Sequence, residues 1–265
     1  MKRIRHLAAG AFLLLASLSA QGAELNCSGR TNVEEFRYSW RVRGGLRWIA
    51  GLVFPTSGTG NLKTIFPTQA QPSITSELLI TAPNGRQGGF FEYESEMDAS
   101  GQKTLMTFSG YSWGSKARKE RAVFDYPERV ARIRKETPDK IETKVKPIPD
   151  HDMRDVLTAI YYLRQNASTI KRPIATSFYT DGKEYPVVFR PIGRKTFKME
   201  GKQVSCLGFE IVDAPGGKDW AGGVKVWLSD DERRIPFRIE ISQSIASLQL
   251  DLKSVESCAF MQAAK

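Results

Sequence analysis

Apolar and polar residues alternate along most of this chain, the pattern of extended strands with one buried and one wet face. Phe36, Tyr38, Trp40 and Val42 interleave with Glu35, Arg37, Ser39 and Arg41. The same period of two predicts strands over residues 74–80, 89–97, 103–108, 121–126, 130–136 and 141–145. Asp98-Ala99-Ser100-Gly101 and Thr137-Pro138-Asp139-Lys140 read as turns. In the second half, 174–180 and 183–190 flank Asp181-Gly182, a two-residue hairpin signal. Pro186 has no N–H to give a ladder, which predicts an edge or a bulge there. Glu200-Gly201 leads into a strand over 203–212, and 224–228, 236–241 and 246–252 complete the pattern.

One segment breaks the alternation. Met153, Val156, Leu157, Ile160 and Tyr161 recur at helical spacing and predict an amphipathic helix over 153–165. Asp152 suits its N-cap, Asp155 favours the positive end of the helix dipole, and Asn166 can end it. A lone helix among strands cannot belong to a repeating βαβ unit, so its apolar stripe must lie on a sheet. The expected fold is mainly β (α+β): a large curved antiparallel sheet or unclosed barrel with one amphipathic helix packed on its concave face.

Composition agrees with a globular chain: 265 residues, 41% hydrophobic, 10% aromatic and 26% charged. Residues 1–22 carry the marks of a secretory signal peptide. Lys2, Arg3 and Arg5 precede an apolar stretch from Leu7 to Ala20, and Ala20 and Gly22 suit a cleavage site. The stretch is shorter than the roughly 20 residues a spanning helix needs. Glu24-Leu25-Asn26 before Cys27 lacks the small residues of a lipid-modification site. Cleavage removes three cations and lowers the formal charge from +10 to +7. The expectation is an exported, periplasmic protein, with 23–265 as one mostly-β domain and no transmembrane segment in the mature chain. Two of Cys27, Cys206 and Cys258 can pair in an oxidising compartment. Cys27 with Cys258 would staple the chain ends, worth about 4–5 kcal/mol by loop entropy; three isolated thiols are the other reading.

Candidate chemistry is sparse. Gly110-Tyr111-Ser112-Trp113-Gly114 matches the nucleophile elbow of α/β-hydrolases, with Asp125 or Asp139 and then His151 downstream in the right order. The elbow needs a strand-to-helix turn, however, and a charged run and another strand follow Ser112. A serine hydrolase using Ser112 is therefore the remote alternative to a non-enzymatic protein. His151, the one histidine outside the signal segment, stands between Asp150 and Asp152, too few ligands for zinc; a helix-capping loop accounts for it. Asp230-Asp231-Glu232 lacks the spacing of a calcium loop. Gly58-Thr59-Gly60 is too isolated to cradle phosphate. No catalytic, cofactor or metal set is expected. Between Lys116 and Lys146, eleven cations face six acids. Lys116, Arg118, Lys119, Arg121, Arg129, Arg132 and Arg134 form a candidate basic surface for anionic lipid head groups, or simply the wet face of several strands. Export argues against nucleic acid.

Four stretches carry a family resemblance: Glu35-Phe36-Arg37-Tyr38-Ser39-Trp40-Arg41-Val42-Arg43-Gly44-Gly45; the run from Asp155 that ends in Tyr161-Tyr162-Leu163-Arg164; Tyr179-Thr180-Asp181-Gly182-Lys183-Glu184-Tyr185; and Val226-Trp227-Leu228-Ser229-Asp230-Asp231-Glu232-Arg233-Arg234-Ile235-Pro236. In this order and spacing they resemble an exported bacterial family designated domain of unknown function three-one-zero-eight. Ser244 departs from the glycine usual in its final turn. The resemblance implies an envelope location and an architecture similar to the unclosed barrels of periplasmic lipoprotein carriers, with no catalytic residues to carry over. Two functions are expected from different classes: binding of a lipid-like or other hydrophobic molecule in a half-barrel cleft during envelope maintenance, or docking of an envelope protein along a sheet edge near Pro186.

Overall fold

The computed structural model describes residues 32–44, 55–82, 90–113, 115–149, 151–180, 182–216, 222–243 and 246–257. Among them, fifteen strands form one sheet. The first eight are β1 (Val33–Arg43), β2 (Ser57–Ile65), β3 (Ile74–Thr81), β4 (Phe90–Met97), β5 (Thr104–Trp113), β6 (Lys116–Asp125), β7 (Val130–Thr137) and β8 (Lys140–Pro147). The short β9 (Met153–Arg154) and the helix α1 (Val156–Asn166) follow, then β10 (Ile174–Thr180), β11 (Lys183–Met199), β12 (Lys202–Asp213), β13 (Gly223–Ser229), β14 (Pro236–Gln243) and β15 (Ala246–Ser257). In space the order is β8-β7-β6-β5-β4-β3-β2-β1-β15-β14-β13-β12-β11-β10-β9, which leaves β8 and β9 as the two edges of an unclosed barrel. All pairings are antiparallel except β9 with β10.

Cross-strand partners share a face, so the register traces each face across the sheet. On the inner face Phe36 pairs with Leu62, Leu62 with Leu78, Leu78 with Tyr93, Tyr93 with Ser109, Ser109 with Glu120 and Glu120 with Lys135. That row is apolar in the centre of the sheet and turns polar toward β8, while the neighbouring inner-face rows of β6 and β7 carry Ala122, Phe124, Ala131 and Ile133. The main core joins Phe36, Tyr38, Leu62 and Leu78 to Phe189, Phe209, Ile211 and Leu250 around Leu157, Ile160 and Leu163 of α1.

The helix is enclosed rather than laid on one side. Leu157, Thr158, Ala159, Ile160, Tyr161, Leu163 and Arg164 are all buried. It starts three residues later than its periodicity predicts, because Met153 and Arg154 pair with Ser177 and Phe178 as a strand. Asp155, not Asp152, is the N-cap, and its Oδ1 accepts from Leu157 N (2.8 Å) and Thr158 N (2.9 Å). Arg164, near the other end, ion-pairs with Glu34 of β1.

β2 does not announce itself, since Gly58, Thr59 and Gly60 weaken its alternation, yet glycine is required there. Trp40 Nε1 donates to Thr81 O (2.9 Å) across Gly58, and a Cβ on Gly58 would sit 2.0 Å from that oxygen. Gly58→Ala should lower stability by about 1–3 kcal/mol in urea unfolding; an unchanged midpoint would show that β2 yields there at no cost. Pro186 also differs from expectation. β11 lies between β10 and β12, so it is not an edge. The proline is tolerated because β12 pairing begins one residue later, at Val187 with Asp213.

Candidate functional site

The two ends of the sheet overlap. On β10, Phe178 faces inward to the helix core, whereas Tyr179 belongs to a second cluster with Ala122, Phe124, Ala131 and Ile133. Those four are inner-face residues of β6 and β7, alternating with exposed Arg121, Val123, Arg132 and Arg134. The outer face of the β10 end therefore tucks beneath the inner face of the β6–β8 end, and the sheet closes like a scroll through side chains instead of a ladder. The Phe124 and Tyr179 rings meet edge-on, with centroids 4.8 Å apart.

A cleft of about 480 Å³ opens along this seam. Its floor is apolar, formed by Ala131, Ile133, Ile148, Met153 and Tyr179, all buried. Its rim is polar and comes from Lys146 on β8 and from Gly182, Lys183 and Glu184 at the β10–β11 turn. Lys146 Nζ donates to Gly182 O (2.7 Å), latching that turn to the opposite end of the sheet. Buried Glu120 lies beneath the same turn and is paired with Lys135 (3.0 Å) and Arg118 (2.7 Å). The volume lies within the roughly 300–1,000 Å³ usual for small-molecule sites.

Beside the cleft, His151, Ser177 and Glu184 converge. His151 Nε2 lies 2.5 Å from Ser177 Oγ and 3.0 Å from Glu184 Oε1, and Ser177 Oγ donates to Glu184 Oε1 (2.5 Å). A nucleophilic triad needs the acid on the other ring nitrogen, where it orients the histidine. Here serine and carboxylate share one nitrogen, so the cluster ties the segment before β9 to β10 and β11. His151 is thus a seam residue and not part of the helix cap.

The expected site residues scatter. Ser112 lies within β5, opposite Phe90 and Ala117, and β5 runs on into β6 as a hairpin, so the strand-to-helix elbow does not form. The basic surface divides between faces. Lys119, Arg121, Arg132 and Arg134 point outward, Lys116 and Arg118 share the inner-face row of Glu120, and Arg129 occupies the β6–β7 turn at φ 54°. Asp230 pairs with Arg194 and Arg234, while Asp231 caps its own turn through Arg233 N and Arg234 N (both 3.2 Å). Cys206 is buried, and desolvation pushes its thiol up to about 12, so it is inert. Residues 1–22, Ser244 and the Cys27–Cys258 pairing lie outside the described residues. Among the described residues no helix is long and apolar enough to cross a membrane, and no group of three or more His, Cys, Asp or Glu is placed to hold a metal ion.

Residues 68–253 match the family model described as "Protein of unknown function (DUF3108)". No curated protein matches the sequence. Among solved structures, the chain is similar to a beta-barrel-like protein of domain of unknown function DUF1849 from Brucella abortus, at 12% identity and a TM-score of 0.55, covering 86% of this chain and 99% of that one. A DUF1329 family protein from Desulfovibrio piger aligns over 88% of each chain at 9% identity with a TM-score of 0.25. The first of these shares the fold with this chain.

Proposed function

The chain is a member of the DUF3108 family, and from that premise we propose that it is a non-enzymatic binding protein of the cell envelope, holding a single-chain amphiphile at the seam of its scrolled sheet. The observation that carries this reading is the cleft itself, whose apolar floor of Ala131, Ile133, Ile148 and Met153 ends at a rim bearing Lys146 and Lys183. An acyl tail matches the floor, and an anionic head matches the lysines. The concave face of the half-barrel is occupied by α1, whose apolar side chains are buried in the core, so the expected cleft for a hydrophobic molecule moves from there to the seam. The signal-like segment at 1–22 supports export of the mature chain.

Titration with a fluorescent long-chain fatty acid tests the site. The wild type should saturate at one probe per chain. Ala131→Leu, which adds carbons to the floor, should weaken binding by about tenfold, the equivalent of ~1.4 kcal/mol. Lys183→Glu, at an exposed position on the rim, should weaken it comparably without affecting the fold. A wild type that ignores the probe, or an Ala131→Leu variant that binds as the wild type does, would remove the seam as the binding site.

A further inference from the structure

We propose that the outer face of the β6–β8 end of the sheet docks on an anionic lipid surface. This goes beyond the cleft, which lies on the opposite face of the same strands. The register lays the outer face out as a grid. Val123, Arg132 and Val145 form one row across β6, β7 and β8. Arg121, Arg134 and Thr143 form the next, and Lys119, Glu136 and Ile141 the one after. Val123, Ile141 and Val145 are 42%, 61% and 57% exposed, three of the five large hydrophobic side chains that stand out from the described surface.

Single exposed aliphatics need no explanation, but three set among four cations on one face of three adjacent strands have a defined chemistry. Arg121 and Arg134 stand directly opposite each other. Arg134 is paired with Glu136 (2.7 Å) and Arg132 lies 4.0 Å from Asp125, so the four cations outnumber the two acids on this face and leave it net positive. Lysines on an edge strand normally prevent strand pairing. On β8 that task falls to Lys140, Lys144 and Lys146 in the inner-face rows, while the outer row of Ile141, Thr143 and Val145 carries no charge. The patch is also bounded. Glu92, Glu94 and Glu96 on β4 and Glu77 on β3 occupy the outer face two and three strands from β6, where an anionic surface repels them. Cations flanking short aliphatics, fenced by carboxylates, match phosphate head groups over an acyl interface and fix which part of the sheet meets it.

Flotation with vesicles of phosphatidylethanolamine and phosphatidylglycerol, against phosphatidylcholine vesicles, tests the proposal on the mature chain. The wild type should float with the anionic vesicles only. Arg121→Gln/Arg132→Gln/Arg134→Gln should cut partitioning on the order of a hundredfold, at about fivefold for each cation removed. Ile141→Ser/Val145→Ser should retain low-salt binding and lose about tenfold at high salt, where charge is screened and the aliphatic contribution remains. Lys198→Gln/Lys202→Gln, on the distant β11–β12 hairpin, should behave as the wild type. Because all these side chains are exposed, circular dichroism should report an unchanged fold; if the triple variant unfolds, Arg132→Gln alone should still lose about fivefold. The proposal is overturned if the wild type does not float, if the outer-face variants float as well as it does, or if the hairpin variant loses as much. A vesicle-independent dimer that Ile141→Ser/Val145→Ser dissolves would assign the face to a second copy of the chain and overturn it equally. Failure here leaves fatty-acid binding at the seam untouched, so the two readings fail separately.

Discussion

Replacing Glu34 by alanine should cost about 3–5 kcal/mol of folding stability, and replacing Arg164 by alanine a similar amount. Both side chains are only 2% exposed. Glu34 Oε2 accepts from Arg164 Nη2 (2.9 Å), while Glu34 Oε1 accepts from Arg164 Nη1 and from Tyr161 Oη. Arg164 also donates to the carbonyls of Arg234 (3.0 Å) and Arg233 (3.2 Å), in the turn between β13 and β14. One guanidinium thus ties the helix to the central strand and to a turn far away in sequence. Removing either partner strands a charge in the core, where desolvation is uncompensated. Glu34→Leu/Arg164→Met removes both charges together and should cost less than either single alanine variant. Urea unfolding of the three variants is the measurement; a double variant as unstable as the sum of the singles would contradict a charge-pair account.

Asp155→Ala is expected to cost about 3–4 kcal/mol, combining a lost N-cap with buried donors left unmet. Asp155 is completely buried. Besides capping α1, its Oδ2 accepts from Ser95 Oγ (2.6 Å), and its backbone N donates to Thr104 Oγ1 (3.0 Å). The helix start is thereby fastened to β4 and β5. Burial pushes its carboxyl up to about 6, against the hydrogen bonds from Ser95, Thr158 and Leu157 that favour the charged form. The unfolded chain releases this proton near pH 4. Between those values the folded chain holds a proton that the unfolded chain has lost, so the contribution of Asp155 to stability falls as pH rises through that window. The stability of the wild type relative to Asp155→Asn should accordingly be greater near pH 4 than near pH 7. The opposite slope would mean that hydrogen bonding to the carboxylate outweighs burial.

The sheet was legible wherever one face is apolar and the other wet. β1 is the clearest case, with Phe36, Tyr38 and Trp40 at 0%, 1% and 6% exposure between half-buried or exposed neighbours. The helix was legible as a stripe, but the stripe understates its burial: Thr158 and Arg164 read as polar-face residues and are enclosed because the sheet wraps around them. Met153 fits the stripe and yet pairs as a strand, since backbone bonds to Ser177 and Phe178 outweigh one more helical turn. The seam was not legible. Ala122, Phe124, Ala131 and Ile133 alternate like any half-buried strand, and alternation says which face is buried without saying against what. The one local sign is in β10, where Ser177, Phe178 and Tyr179 are buried in succession, as two-sided burial requires. Glu184 and His151, far apart in sequence, meet because β9 pairs with β10 and β10 with β11, a parallel β9–β10 pairing that the alternation alone does not reveal.

The most direct test of the account is native mass spectrometry of the mature chain, purified after secretion and sprayed without organic solvent, beside Ala131→Leu prepared identically. The account predicts a wild-type population carrying one acyl-chain molecule, released on denaturation and largely absent from the variant. A wild type that flies bare, or a variant carrying the same adduct in the same proportion, would contradict it.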